Sequence, residues 1–250
     1  MNILICNDDG YQAKGLSVLA QAASKYGAIR VIAPDRNKTA ASHSLTLHKP
    51  LALKQAENGF YYVNGTPTDC VHLALSLFDD FKPDWIFSGI NHGVNLGEDV
   101  LYSGTVASAT QGYLMGIPSI AFSLNDKTDR YWQTAYSAVD KIVRHLSSLG
   151  VRHPLLWNVN IPQVEPQELK GIKVVALGRR EQGEGVIPTK NPQGETIYWM
   201  ALQGKEMDSV TVSDFSLNKE GYVTITPLTA DRTAYAQLGK VAAIFDSLVL

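Results

Sequence analysis

Four short apolar runs, at 2–6 (NILIC), 29–33 (IRVIA), 84–88 (DWIFS) and 119–123 (SIAFS), alternate with segments of helical periodicity. Runs that stay apolar on consecutive residues suit strands covered on both faces, the condition of a parallel sheet clothed by helices. Between the first two, Leu16, Leu19, Ala20 and Ala23 recur at helical spacing, and Gly27 stands in the position of a C-terminal cap. That is a βαβ unit. Residues 45–53 followed by 59–63 read as an inserted hairpin. Thr66 then reads as an N-cap and Pro67 as the first residue of a helix whose inward stripe is Val71, Ala74, Leu75 and Phe78. Another helix starts at Ser103, with Val106, Ala109, Tyr113 and Ile117 on one face, and leads to the fourth run. A helix over 131–149 precedes strand-like segments at 155–161 (LLWNVNI) and 172–177. The fold class expected is α/β: a Rossmann-like, doubly wound, mostly parallel sheet within one domain spanning 1–250.

From 178 to 208 the chain is richer in Gly, Pro and polar residues, yet it holds the apolar run TIYWMAL at 196–202. The segment reads as a projecting hairpin arm that pairs with another subunit, with a private surface loop as the alternative. YVTITP at 222–227 and a helix from about residue 234 are expected to return to the core.

A formal net charge of -2 supplies no bulk positive field for nucleic acid or an anionic membrane, so an anionic ligand must be captured locally. Cys6 and Cys70 cannot build a disulfide framework and read as small core residues. The start MNILICNDDG lacks the basic flank and apolar stretch of a secretion signal, and no run approaches the ~20 apolar residues of a membrane span. A soluble, cytoplasmic protein is expected.

In open α/β sheets ligands bind beyond the carboxyl ends of the strands. Here Asn7-Asp8-Asp9-Gly10 follows the first run, Pro34 to Thr39 the second, and Gly89-Ile90-Asn91 the third. Neighbouring Asp8 and Asp9 repel unless a cation or donors compensate, and a hard divalent ion accepts carboxylate, hydroxyl and amide oxygens. Asp8, Asp9, Thr39 and Asn91 form such a set for Mg2+ or Mn2+; a plain turn and helix cap is the alternative. Ser103-Gly104-Thr105 at a helix start suits a phosphate, or else a simple serine N-cap. No Gly-x-Gly-x-x-Gly, Walker loop, HExxH or Gly-x-Ser-x-Gly motif is present. His43 and His92 fall near the expected crevice.

Taken together, ILICNDDG at 3–10, APDRNKTAASHSLTL at 33–47, GTPTDCV at 65–71, SGIN at 88–91, NLGEDVLYSGTVASA at 95–109 and GYVTITPL at 221–228 resemble the SurE family, the survival-protein 5'-nucleotidases. The resemblance implies a metal-dependent phosphohydrolase acting on nucleoside monophosphates, with C-terminal elements used in oligomerisation, as a homodimer or homotetramer. It places one divalent ion per subunit on Asp8, Asp9, Thr39 and Asn91. Thr39 stands where the family usually has serine, and Val94 where proline is common. Asn95, Ser103, Gly104 and Thr105 are the expected phosphate-binding residues, and Asp8 and Asp9 the expected catalytic pair. Nucleic acid polymers and membranes are not expected partners. Base and sugar preference, and any broader phosphatase or polyphosphatase activity, are left open.

Overall fold

The computed structural model describes residues 1–151, 153–183, 185–200, 204–207, 212–246 and 248. β1 (Asn2–Cys6) leads into α1 (Lys14–Ala23), which buries the expected Leu16, Leu19, Ala20 and Ala23. The helix is capped at Ser24, short of Gly27. A Cβ on Gly27 would stand 1.8 Å from the Met1 carbonyl oxygen, so this glycine serves the approach of two strand starts and not the helix end. β2 (Ala28–Pro34) runs parallel to β1 and completes the βαβ unit.

The insertion is smaller than its sequence suggests, since only β3 (Leu53–Gln55) and β4 (Tyr61–Val63) pair, antiparallel. Residues 45–52 form no strand: Leu45 and Leu47 point to solvent, and Thr46 is tied to Asp69 through its backbone N–H (2.9 Å) and its hydroxyl (2.6 Å). α2 (Pro67–Leu77) starts at the expected cap. The Thr66 hydroxyl accepts from Asp69 N at 3.1 Å, and the Asp69 carboxylate accepts from Thr66 N at 2.8 Å.

β5 (Trp85–His92), a 3-10 turn at Gly97–Leu101, α3 (Gly104–Leu114), β6 (Ser119–Leu124), α4 (Trp132–Leu149) and β7 (Leu156–Ile161) continue the alternation. α4 buries Ala135, Ala138, Val139, Ile142, Val143 and Leu146 at helical spacing and stops at Gly150, whose φ of 60° suits a left-handed cap. β8 (Ile172–Val174), β9 (Val186–Lys190), β10 (Thr196–Met200), α5 (Asp214–Lys219), β11 (Val223–Pro227) and α6 (Leu238–Phe245) follow.

Nine strands form one sheet in the order β3-β4-β2-β1-β5-β6-β7-β11-β8. Pairing is parallel from β4 through β7, and β11 turns antiparallel to β7. The order reverses at β1, with β2 on one side and β5 on the other, so the loops after β1 and β5 part at a topological switch point. α1 and α4 pack on one face over Ile3, Ile5, Phe87, Phe122 and Val159. α2 and α3 lie together on the opposite face, which also takes up Cys6 and Cys70, both free and buried. Each fully buried aliphatic here contributes about 1.5–3 kcal/mol.

β9 and β10 form a separate antiparallel pair in which every residue is exposed, Trp199 and Met200 included. Residues 184, 201–203 and 208 of the expected arm lie outside the described residues. The terminal helix departs from expectation: α6 buries no residue of its own, because nothing in the described chain covers Leu238, Val241, Ile244 and Phe245. Among the described residues, no helix is long and apolar enough to cross a membrane.

Candidate active site

Asp8 and Asp9 follow the end of β1, where the turn is held by Asn7, whose Nδ2 donates to Gly10 O at 3.0 Å and whose Oδ1 accepts from Gly10 N at 3.2 Å. Three other segments close on this corner. The loop after β2 arrives through Lys38 N donating to Asp8 O at 2.7 Å. The end of β5 arrives through His92 N donating to Asp9 Oδ2 at 3.2 Å. The first turn of α3 arrives through Thr105, whose hydroxyl donates to Asp8 Oδ1.

Gly104 makes the last approach possible. A Cβ there would lie 2.7 Å from Asp8 Cβ and 2.9 Å from its Oδ2, so any side chain would push the helix start away. Asp8 is 3% exposed, and burial together with the neighbouring Asp9 pushes its pKa up to about 6 despite the Thr105 hydroxyl. Burial also raises Asp9, against the opposing donation from His92 N. The two carboxylates thus resist ionising together, which is the condition a cation relieves.

The remaining oxygens of the expected metal set are placed as follows. Asn91 Nδ2 is committed to Gly93 O at 2.9 Å, which leaves its amide oxygen as the free end. The exposed Thr39 donates to Asn37 Oδ1 at 2.6 Å, and Asn37 Nδ2 reaches toward Asp9 Oδ1 at 3.5 Å. Among the described residues no three His, Cys, Asp or Glu side chains gather as a metal-holding group, so an ion here would rest on two carboxylates and neutral oxygens. This all-oxygen set suits a hard cation such as Mg2+ or Mn2+ and fits poorly with zinc.

The expected phosphate-binding set also has a local logic. The Ser103 hydroxyl accepts from Val106 N at 3.1 Å as the α3 N-cap, and the helix is long enough for its dipole to favour an anion there. Asn95 is 6% exposed and held on three sides: its N donates to Asn160 Oδ1 (2.9 Å), its O accepts from Asn158 Nδ2 (2.7 Å) and Asn160 Nδ2 (3.0 Å), and its Nδ2 donates to Ser123 Oγ (2.7 Å). The motifs do not mark Asn158, Asn160 or Ser123. A signal existed in β7, where two asparagines alternate on one face of an otherwise apolar strand.

The 3-10 turn between Asn95 and Ser103 is braced from outside. Arg180 grips Asp99 bidentately at 2.8 and 2.6 Å, lies 4.8 Å over the Phe215 ring and donates to Gly204 O at 3.2 Å. His43 is not free in the crevice; its Nε2 meets Gln111 Oε1 at 3.0 Å, and Gln111 Nε2 meets His72 Nδ1 at 3.2 Å.

Residues 3–184 match the family described as survival protein SurE. A protein of Neisseria meningitidis serogroup C named 5'-nucleotidase SurE is 52% identical over 247 residues, covering 99% of this chain and all of the relative. A Chromobacterium violaceum protein of the same name is 48% identical over 97% of this chain and 98% of its own. The crystal structure of the SurE protein from Aquifex aeolicus superposes with a TM-score of 0.85 at 38% identity, covering 98% of this chain and 99% of that one. With the same fold, and with identity sustained along almost its whole length, this chain belongs to the SurE family.

Proposed function

We propose that the chain is a divalent-cation-dependent 5'-nucleotidase, which hydrolyses nucleoside 5'-monophosphates to a nucleoside and phosphate. The observation that carries this reading is the contact of the Asp8–Asp9 corner with the first turn of α3 through Thr105 and Gly104, an anion-favouring helix end beside two carboxylates. The name 5'-nucleotidase carried by relatives about half identical along their full length supports it.

Asp8, Asp9, Thr39 and Asn91 would hold one Mg2+ or Mn2+, which when bound neutralises phosphoryl charge and acidifies a coordinated water. Asn95, immobilised by Asn158, Asn160 and Ser123, would offer the second N–H of its side-chain amide to a phosphoryl oxygen. Ser103 and Gly104 offer hydroxyl and backbone N–H groups to the phosphoryl oxygens as charge grows on them. Thr105 keeps Asp8 oriented through its hydroxyl. Asp9, less buried than Asp8, would accept a proton from the attacking water.

The test is a panel of nucleoside 5'-monophosphates, a generic phosphate ester and inorganic polyphosphate, assayed with magnesium, manganese or chelator. Phosphate release from the monophosphates, abolished by chelator and reduced at least ~10²-fold in Asp8→Asn and Asp9→Asn, is the expected result. Nucleotide binding without phosphate release under either ion would identify a regulator instead of an enzyme. Release from polyphosphate would extend the activity.

A further inference from the structure

Asp9 also borders a second space. A cavity of 280 Å³ opens on the α1 and α4 side of the sheet, between the start of α1, the end of β5 and the loop before α4. Its polar walls are Asp9, Lys14, His92 and Asp129, and Trp132 stands behind them. The Trp132 indole N–H donates to Asp129 Oδ1 at 2.8 Å and fixes that carboxylate, while His92 Nε2 comes within 4.0 Å of the same oxygen. The His92 ring lies 5.4 Å from the indole, and the Lys14 ammonium lies 5.7 Å over it. The floor is closely packed, for a Cβ on Gly15 would fall 1.9 Å from Ile90 O and 3.1 Å from Trp132.

The lining decides what can enter. With Asp9 given to the cation, Asp129 offsets Lys14, so a second phosphate would meet as much repulsion as attraction. An apolar group would desolvate these polar side chains without satisfying them. A vicinal diol suits them: its hydroxyls donate to a carboxylate and accept from an ammonium or imidazole, as ribose hydroxyls do to the acidic residue of dinucleotide sites. Position agrees with chemistry. Asp8 turns toward α3 and the phosphate cradle, Asp9 is shared with the cavity, and a phosphoester lying across the pair sends its alcohol side past Asp9.

We propose that this cavity is the sugar subsite, and that Asp129, His92 and Lys14 read the ribose diol of the leaving nucleoside, so that ribonucleotides are favoured over 2'-deoxyribonucleotides. The inference rests on the nucleotidase reading for the identity of the ester. A site built to bond a hydroxyl penalises the analogue that lacks it, here by about tenfold or more in kcat/KM.

The experiment measures kcat/KM for AMP and dAMP with magnesium or manganese in the natural protein, Asp129→Ala and His92→Ala. The ratio does not depend on the fraction of enzyme that is folded. The expected result is a ratio of about ten or more that falls toward one in Asp129→Ala and drops in His92→Ala. A ratio near one in the natural protein, or one unmoved in both variants, overturns the proposal. Direct titration with adenosine and 2'-deoxyadenosine, followed by tryptophan fluorescence, separates it from the nucleotidase reading. Tighter adenosine binding in a chain that hydrolyses no ester would sink the activity and leave the subsite standing. Equal binding of the two nucleosides would sink the subsite whatever the activity.

Discussion

A methyl group at Gly104 would occupy space held by Asp8 Cβ, so Gly104→Ala must either displace the carboxylate or lift the start of α3. Either movement is on the ångström scale, and misplacement of that order costs about 10²-fold in turnover. The expected outcome is a fall of that size in kcat, measured by phosphate release, in a chain whose circular dichroism is unchanged. Asn160 invites a different prediction. Its side chain both accepts from Asn95 N and donates to Asn95 O, so Asn160→Ala leaves a buried N–H without its partner. A loss of about 1–3 kcal/mol in urea-unfolding stability is expected. These two residues also divide what the sequence discloses from what it hides. Gly104 sits inside a contiguous Ser-Gly-Thr helix start whose chemistry is local. Asn160 acts on a residue 65 positions away, and its contact depends on strand register.

At the scale of elements, Asp69 holds two pieces of structure at once. It completes the capping box of α2 and ties down the irregular 45–52 segment through Thr46. Burial opposes its ionisation, but the hydrogen bonds from Thr46 and Thr66 outweigh it and hold the carboxyl below its ordinary value. A carboxylate with a depressed folded-state pKa stabilises the fold fully above its unfolded value, near ~4, and loses that contribution as pH falls through the lower folded value. Asp69→Asn should therefore lower the melting temperature at neutral pH and flatten its decline below about pH 4, as read by thermal denaturation across pH. The alternation of β1, α1, β2, β5, α3 and β6 was legible because consecutive apolar runs and helical stripes are local signals. The reach of the inserted hairpin was not, since Leu45 and Leu47 carry a strand-like pattern with no core to cover them. The carboxylate corner was legible as three polar strand ends. The cavity beyond it was not, because Lys14 and Trp132 meet only after α1 and α4 pack side by side.

For the molecule as a whole, the exposed apolar residues concentrate in two places: the β9–β10 pair, with Ile187, Tyr198, Trp199 and Met200, and α6, with Leu238, Ile244 and Phe245. Unpaired apolar surface of this kind suits contact with a further copy of the chain. The expected outcome is a molar mass by light scattering above the 27.3 kDa of a single chain, lowered toward that value by Trp199→Glu combined with Ile244→Glu; a natural protein already at the single-chain mass, or a mass the pair leaves unchanged, would rule this contact out. The Arg180–Asp99 pair gives that prediction a mechanical side. One guanidinium spans from the return segment of the hairpin, at Gly204, to the turn that separates Asn95 from Ser103. Like a tie rod between the two, this contact has to stretch or break if the outer hairpin moves relative to that turn.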